Sequence, residues 1–106
     1  MTMHNKLILS FPDNLTSRLT GFDYGRYIYR EQVEDFIKKC LQSQIKPVII
    51  FPSYIGGVSI SFLKGFLSQL MKVYSKTEIL KILEFQSLHF YCSKQIVKNI
   101  EDSVLF

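Results

Sequence analysis

The sequence is poor in the residue types that most often supply chemistry. It holds two cysteines, two histidines and no tryptophan. Cys40 and Cys92 lack CxxC spacing, so we expect each to act as a small apolar residue in a reducing compartment. His4 and His89 form neither an HxH nor an HxxE pattern, which predicts no metal site. No GxSxG motif or paired acid and base is recognisable, and we expect neither enzymatic activity nor a cofactor.

Long hydrophobic runs and charge clusters are also missing. The longest apolar run, residues 47–51, has strand length and falls far short of the ~20 residues of a membrane span. No leader is recognised, so we expect a cytoplasmic protein with no membrane contact. The net charge is +4 and the isoelectric point about 9.1. Because the basic residues are spread along the chain, they favour a solvated face over a nucleic-acid site.

Apolar and aromatic residues, in contrast, are plentiful. The 106 residues are 47% hydrophobic and include nine Phe and six Tyr. This length predicts one domain over residues 1–106, with 1–5 frayed, and the apolar content is enough for a core. The mean hydropathy of +0.12 leaves apolar side chains for a partner interface, and homodimerisation is compatible with it.

Strand and helix patterns alternate along the chain. The predicted elements are a strand at residues 6–11, a loop at 15–25, a helix at 24–41, a strand at 46–51, a turn at 52–57, a helix from 59 or 61 to 74, a turn at 77–80 capped by Thr77, a strand at 81–88 and a helix capped by Ser93. Strands that alternate with helices predict an α/β domain with a largely parallel sheet. Gly65, inside a helix, predicts a close packing contact.

The segment before the central helix offers two interpretations. Ser59 and Ser61 are suited to cap the helix, because a hydroxyl accepts hydrogen bonds from free N–H groups. Gly56 and Gly57 precede it, and free N–H groups at a helix start also bind anions. Since neither GxxxxGK[ST] nor GxGxxG is present, the simpler interpretation is a tight turn with positive φ.

Two arginines flank the predicted loop at residues 15–25. Arg18 and Arg26 are candidates to bind phosphate or carboxylate, because guanidinium groups form paired hydrogen bonds to such anions. The alternative is an ordinary ion pair with Asp13 or Asp23.

Three segments resemble STAS domains (sulphate transporter and anti-sigma factor antagonist), and more closely the bacterial STAS-like family of unknown function. They are VIIFPSYIGGVSISFLKGFLSQL, SRLTGFDYGRYI, and KILEFQSL with the helix from Ser93. The resemblance covers residues 6–104. It implies a small STAS-like single domain, α/β, with a mixed, mostly parallel sheet of about four strands and helices mainly on one face.

The resemblance also implies function by docking. Anti-sigma antagonists bind a kinase-type ATPase and are released when a serine at the start of the central helix is phosphorylated. Here Ile60 falls at that position in one alignment, which leaves Ser59 and Ser61 as candidate phosphorylation sites. A phosphate there would add negative charge to a docking surface.

We therefore expect a regulatory interaction module whose loop tip, Tyr54 and Ile55, is exposed and anchors a protein partner. The predicted partner-binding residues are Tyr54, Ile55, Gly56, Gly57, Ser59, Ser61, Phe62 and Lys64. Two alternatives remain at this point. One is a small-ligand or nucleotide-binding domain that uses the N–H groups of residues 57–61. The other is a small nucleic-acid-associated or phage-type inhibitor protein.

Overall fold

The computed structural model describes residues 5–11 and 17–105, the last of them by its backbone alone. His4 and Asp13 lie outside the described residues. The elements, in chain order, are β1 (Lys6–Ile8), β2 (Arg18–Leu19), α1 (Phe22–Ile28), a π-helical segment (Tyr29–Val33), α2 (Glu34–Gln42), β3 (Val48–Phe51), β4 (Gly57–Val58), α3 (Ile60–Met71), α4 (Lys76–Ile82), β5 (Glu84–Ser87) and α5 (Ser93–Leu105).

The main sheet contains three strands in the order β1-β3-β5, and all of them run parallel. The predicted α/β class and parallel sheet are confirmed, whereas the sheet is narrower than the four or so strands expected. The short strands β2 and β4 pair with each other in a separate two-stranded sheet. This small sheet joins the loop before α1 to the loop before α3.

The two faces of the main sheet differ. Leu7, Ile49 and Phe85 are paired across the strands and share one face. The large core forms on this face, where the strands meet apolar side chains of the helices. On the opposite face Lys6, Ile8 and Glu84 of the outer strands are exposed, whereas Val48 and Ile50 of the central strand are buried. The placement of the helices mainly on one face therefore stays a prediction.

Two glycines allow α1 and α3 to cross at backbone contact. A Cβ atom on Gly65 would lie 1.9 Å from the carbonyl oxygen of Phe22, and one on Gly25 would lie 2.0 Å from that of Phe62. No Cβ fits at such distances, so the predicted close packing at Gly65 is confirmed. The predicted loop over residues 15–25 is wrong at its end, because α1 already begins at Phe22.

The π-helical segment ties the first helix to the end of β1. Gln32 lies in this segment. Its amide oxygen accepts from the N–H of Ser10 at 2.8 Å, and its amide nitrogen donates to the carbonyl of Ser10 at 2.6 Å. Both backbone groups of Ser10 are therefore satisfied by one side chain instead of by a neighbouring strand.

Tyr29, at the start of the π-helical segment, is part of the core. Its ring packs edge-on against Phe66 with the centroids 5.7 Å apart. Burial, with smaller contributions from Glu34 and Tyr74, raises the pKa of the Tyr29 hydroxyl to about 12. The phenol is therefore neutral at physiological pH.

Helix α4 begins two residues earlier than predicted. Its cap is Ser75 and not Thr77: the Ser75 hydroxyl accepts from the N–H of Glu78, and the Glu78 carboxylate accepts from the N–H of Ser75. The hydrogen bond from the Ser75 backbone lowers the pKa of Glu78. This reciprocal capping fixes the chain direction between α3 and β5.

Candidate functional site

The loops that follow β3 and β5 meet at the carboxyl edge of the main sheet. The N–H of Leu88 donates to the carbonyl of Phe51 at 3.0 Å, and the N–H of Gly56 donates to the carbonyl of Ser17 at 2.7 Å. The backbone of Gly56 also lies beside the ring of His89. In open parallel sheets binding residues usually lie at this edge, which makes both loops candidates for a binding site.

The β3–β4 loop, residues 52–56, turns inward. The expected exposed tip is wrong, because Ile55 is 0% exposed and belongs to the main core. Tyr54 is half-buried. Its hydroxyl accepts from the N–H of Phe11 at 3.2 Å and lies 3.4 Å from the carbonyl of the same residue. Tyr54 therefore holds the chain after β1, and of the loop only Ser53 is fully exposed.

Gly56 allows a close approach of a side chain, and neither Gly56 nor Gly57 has an unusual backbone. The turn with positive φ predicted there is wrong: among the described glycines only Gly21 has a positive φ. A Cβ on Gly56 would lie 3.1 Å from Nε2 of His89, and one on Gly57 would lie 3.4 Å from Cγ of Arg18. Gly56 thus lets the ring of His89 rest on the loop backbone.

The start of α3 is capped as predicted. Ser59 is the N-cap, and its hydroxyl accepts from the N–H of Phe62 at 3.1 Å. The Ser61 hydroxyl lies 3.0 Å from that of Ser59 and accepts from the N–H of Gly21 at 3.2 Å. Ser61 is exposed and Ser59 half-buried. Phe62 is 0% exposed, so its predicted place in a partner-binding surface is wrong.

The two candidate anion-binding arginines lie at separate sites. Arg18 lies beside Ser59 and Lys64, whereas Arg26 lines a small cavity with Arg30, Glu34 and Gln69. Arg26 lies in α1, within the helix predicted from residue 24. Neither arginine forms an ion pair within residues 5–11 and 17–105. Of the two candidates, Arg18 is the one that lies near the start of α3.

A groove runs along the exposed side of α3 beside α5. Its first part, about 570 Å³, is lined by Arg18, Val58, Ser59, Ile60, Lys64, Asn99, Asp102 and Ser103. Its second part, about 350 Å³, is lined by Phe22, Lys64, Ser68, Met71, Lys76 and Ser103. Because Lys64 and Ser103 border both parts, the two form one elongated depression, which we call the α3–α5 groove.

The β5–α5 loop, residues 88–92, turns outward. Phe90 and Tyr91 are each 86% exposed, and Leu88 beside them is also exposed. The two rings contact each other edge-on, with the centroids 4.9 Å apart. We call Phe90 and Tyr91 the aromatic tip. Water-exposed aromatic pairs of this kind are typical of interaction surfaces.

His89 holds the backbone of the aromatic tip. Its Nδ1 accepts from the N–H of Tyr91 at 3.2 Å and from the N–H of Cys92 at 3.0 Å. The Ser87 hydroxyl accepts from the N–H of His89 at 3.2 Å. An imidazole whose Nδ1 accepts carries its proton on Nε2. His89 therefore acts as a backbone acceptor before α5.

The aromatic tip is absent from the predicted site, although the sequence contains a signal for it. Phe90 and Tyr91 lie between a strand pattern and a helix pattern without being part of either period. Bulky aromatic residues outside both periods have no face of an element to bury them. By the same reasoning Tyr54 would also be exposed, so this signal alone does not separate the two loops.

Comparisons with known proteins found no match for the chain. No protein-family model, no curated protein and no solved structure matches it. The resemblance to STAS-like domains therefore stays a prediction.

Within residues 5–11 and 17–105, no helix has the length and apolarity needed to cross a bilayer. In the same residues, no group of three or more His, Cys, Asp or Glu side chains is arranged to hold a metal ion.

Proposed function

We propose that this protein is a non-catalytic interaction module of regulatory type that docks a protein partner at the carboxyl edge of its sheet. The observation that carries this proposal is the exposure of Phe90 and Tyr91, 86% each. Removing two adjacent aromatic rings from water gives a large hydrophobic gain on binding. We place the anchor of the interface at this tip, because Ile55 and Phe62 are buried and unavailable.

Backbone support favours a docking role for the tip. His89 fixes the N–H groups of Tyr91 and of Cys92 next to it, so the loop loses less conformational freedom when a partner binds. Ser53, in the adjacent β3–β4 loop that was first expected to bind, is exposed. It is suited to the polar rim that surrounds an apolar anchor. A kinase-type ATPase is the partner class that the STAS resemblance suggests.

Site-specific photo-crosslinking tests this proposal. A benzophenone amino acid replaces Phe90 in one variant and Val73 in a control, because Val73 is also apolar and 74% exposed but lies after α3. We expect a discrete crosslinked partner at position 90 only. Equal adducts at both positions would show non-specific contact and contradict the proposal.

The partner identified in this way then allows a quantitative test. The double variant Phe90→Ser, Tyr91→Ser should weaken binding to the purified partner at least about tenfold, since anchor residues carry most of the binding energy. Val73→Ser should leave the affinity unchanged. A circular dichroism spectrum identical to that of the parent protein checks that the double variant is folded.

A further inference from the structure

The α3–α5 groove carries a second and independent inference. Its basic side chains are spaced along its length: Arg18 at the β2 end, Lys64 in the middle and Lys76 at the α4 end. None of the three forms an ion pair with any residue in 5–11 or 17–105. Asp102 is the one carboxylate that lines the groove in that part of the chain. The groove is therefore positively charged along its whole length.

Apolar side chains alternate with these cations. Ile60 is 62% exposed, although it is the first residue of a helix whose opposite side is deeply buried. Phe22 is partly exposed at the second part of the groove, where Met71 also lines the wall. A partner that contacts both the cations and the apolar side chains of the groove must present acidic and apolar side chains on one surface.

The dimensions of the groove match a short helix. It follows α3, which has 12 residues, and 12 residues at 1.5 Å each span roughly 18 Å. One wall comes from α3 along the whole groove. The other comes from one turn of α5 in the first part and from Phe22, Lys76 and Ser103 in the second, and a cleft between helices is the kind of site in which a further helix packs. We propose that the α3–α5 groove binds an acidic amphipathic helix of a partner protein, with acidic groups against Arg18, Lys64 and Lys76 and apolar groups on Ile60.

The proposal is tested with the full chain and a defined probe. The probe is a fluorescein-labelled helical peptide of about 12 residues, built from Leu on one face and Glu on its flanks. A second peptide carries Lys in place of every Glu. Fluorescence anisotropy should show binding of the acidic peptide, weaker binding at higher salt, and no binding of the basic peptide. Equal binding of the two peptides, or binding of neither, would overturn the proposal.

Matched variants locate the peptide. Lys64→Glu reverses the charge at the centre of the groove and should weaken binding at least about tenfold. Lys72→Glu is the control, because Lys72 is an exposed lysine at the end of the same helix that does not line the groove. Ile60→Ser should also weaken binding. An equal effect of Lys64→Glu and Lys72→Glu would mean that only the net charge of the protein matters. The proposed binding of the peptide in the groove would then be wrong.

Other occupants are distinguished in the same experiment. If a single-stranded oligonucleotide displaces the acidic peptide as well as unlabelled peptide does, the groove recognises polyanions in general and the proposal is wrong. If sedimentation shows a dimer that Lys64→Glu dissociates, a second copy occupies the groove and the proposal is again wrong. The Phe90→Ser, Tyr91→Ser variant should bind the peptide normally, so this inference and the proposed docking at the aromatic tip succeed or fail separately.

Discussion

The loops after β3 and β5 are both rich in apolar and aromatic residues, yet one is buried and the other is exposed. Ile55 in the β3–β4 loop is 0% exposed, whereas Phe90 in the β5–α5 loop is 86% exposed. The difference follows from the position of each strand. β3 is the central strand, so chain segments that follow β1 and β5 flank its loop on both sides. β5 is an edge strand, and its loop has such a neighbour on one side only.

The composition of a loop therefore does not decide whether the loop binds a partner. The same kinds of side chain stabilise the fold at the centre of a sheet and are available for docking at its edge. Variants of the two loops separate these roles. Changes in the β3–β4 loop (the inner loop) should affect stability, and changes in the β5–α5 loop (the outer loop) should affect binding.

The largest expected effect is that of Ile55→Ala in the inner loop. Removing a fully buried isoleucine leaves a cavity, and we expect the free energy of unfolding to fall by about 3 kcal/mol. Urea denaturation followed by circular dichroism measures this loss. Ile55→Val is the matched control and should cost only about 1 kcal/mol. A loss below about 0.5 kcal/mol for Ile55→Ala would mean that the loop is exposed after all.

Tyr54→Phe should have a smaller effect on the same loop. It deletes the hydroxyl that contacts the N–H and carbonyl of Phe11 and keeps the ring. We expect a loss of about 1.5 kcal/mol, because the partly buried backbone groups of Phe11 lose their partner. Tyr27→Phe, at an exposed tyrosine of α1, should be neutral in the same denaturation series. Equal losses of stability for the two variants would show that the Tyr54 hydroxyl does not stabilise the fold.

His89 lies between the two loops, and its replacement should have an intermediate effect on the free energy of unfolding. His89→Leu removes the acceptor for the N–H groups of Tyr91 and Cys92, and we expect a loss of about 1 kcal/mol. His89→Asn should recover most of it, since the Asn side-chain oxygen occupies the place of Nδ1 and caps a helix start well. Thermal unfolding of both variants measures the difference. If Asn is no better than Leu, the histidine acts by packing alone.

The smallest effect on stability should come from the aromatic tip itself. Phe90→Ser with Tyr91→Ser removes rings that make little contact with the core, so the free energy of unfolding should change by less than about 0.5 kcal/mol. Unchanged stability combined with lost binding to the crosslinked partner would sharpen the contrast with Ile55. A large loss of stability would instead show that the tip packs against the domain.

Elements with a strong local period were predictable from the sequence. The continuous apolar run that ends at Phe51 predicted the central strand, and Ser59 is one of the two caps predicted for α3. The last helix was predicted with Ser93 as its cap, and Ser93 is its first residue. Residues 17–25 were not predictable, because the glycines there were interpreted as loop residues. Gly25 serves instead to bring α1 against the backbone of Phe62, a requirement that arises only when the two helices meet.

The candidate site was predicted in part. The loop after β3 and the start of α3 were predicted as the site, and this loop lies at the carboxyl edge of the sheet, where binding residues usually gather. The exposed residues were assigned incorrectly, since Tyr54-Ile55 and Phe90-Tyr91 are equally apolar in the sequence. The α3–α5 groove was not predicted as such, because Lys64 and Lys76 become neighbours only through the packing of α3, α4 and α5.

The sequence by itself determined the α/β class, the parallel sheet and the cap of α3, because these depend on the order of the elements, on their period and on contacts within a few residues. Only the tertiary structure decided which apolar loop faces water. That choice depends on whether a strand lies at the centre or at the edge of the sheet, and on which side chains from distant segments cover its end. Ile55 is covered from both sides, and Phe90 and Tyr91 are left for a partner.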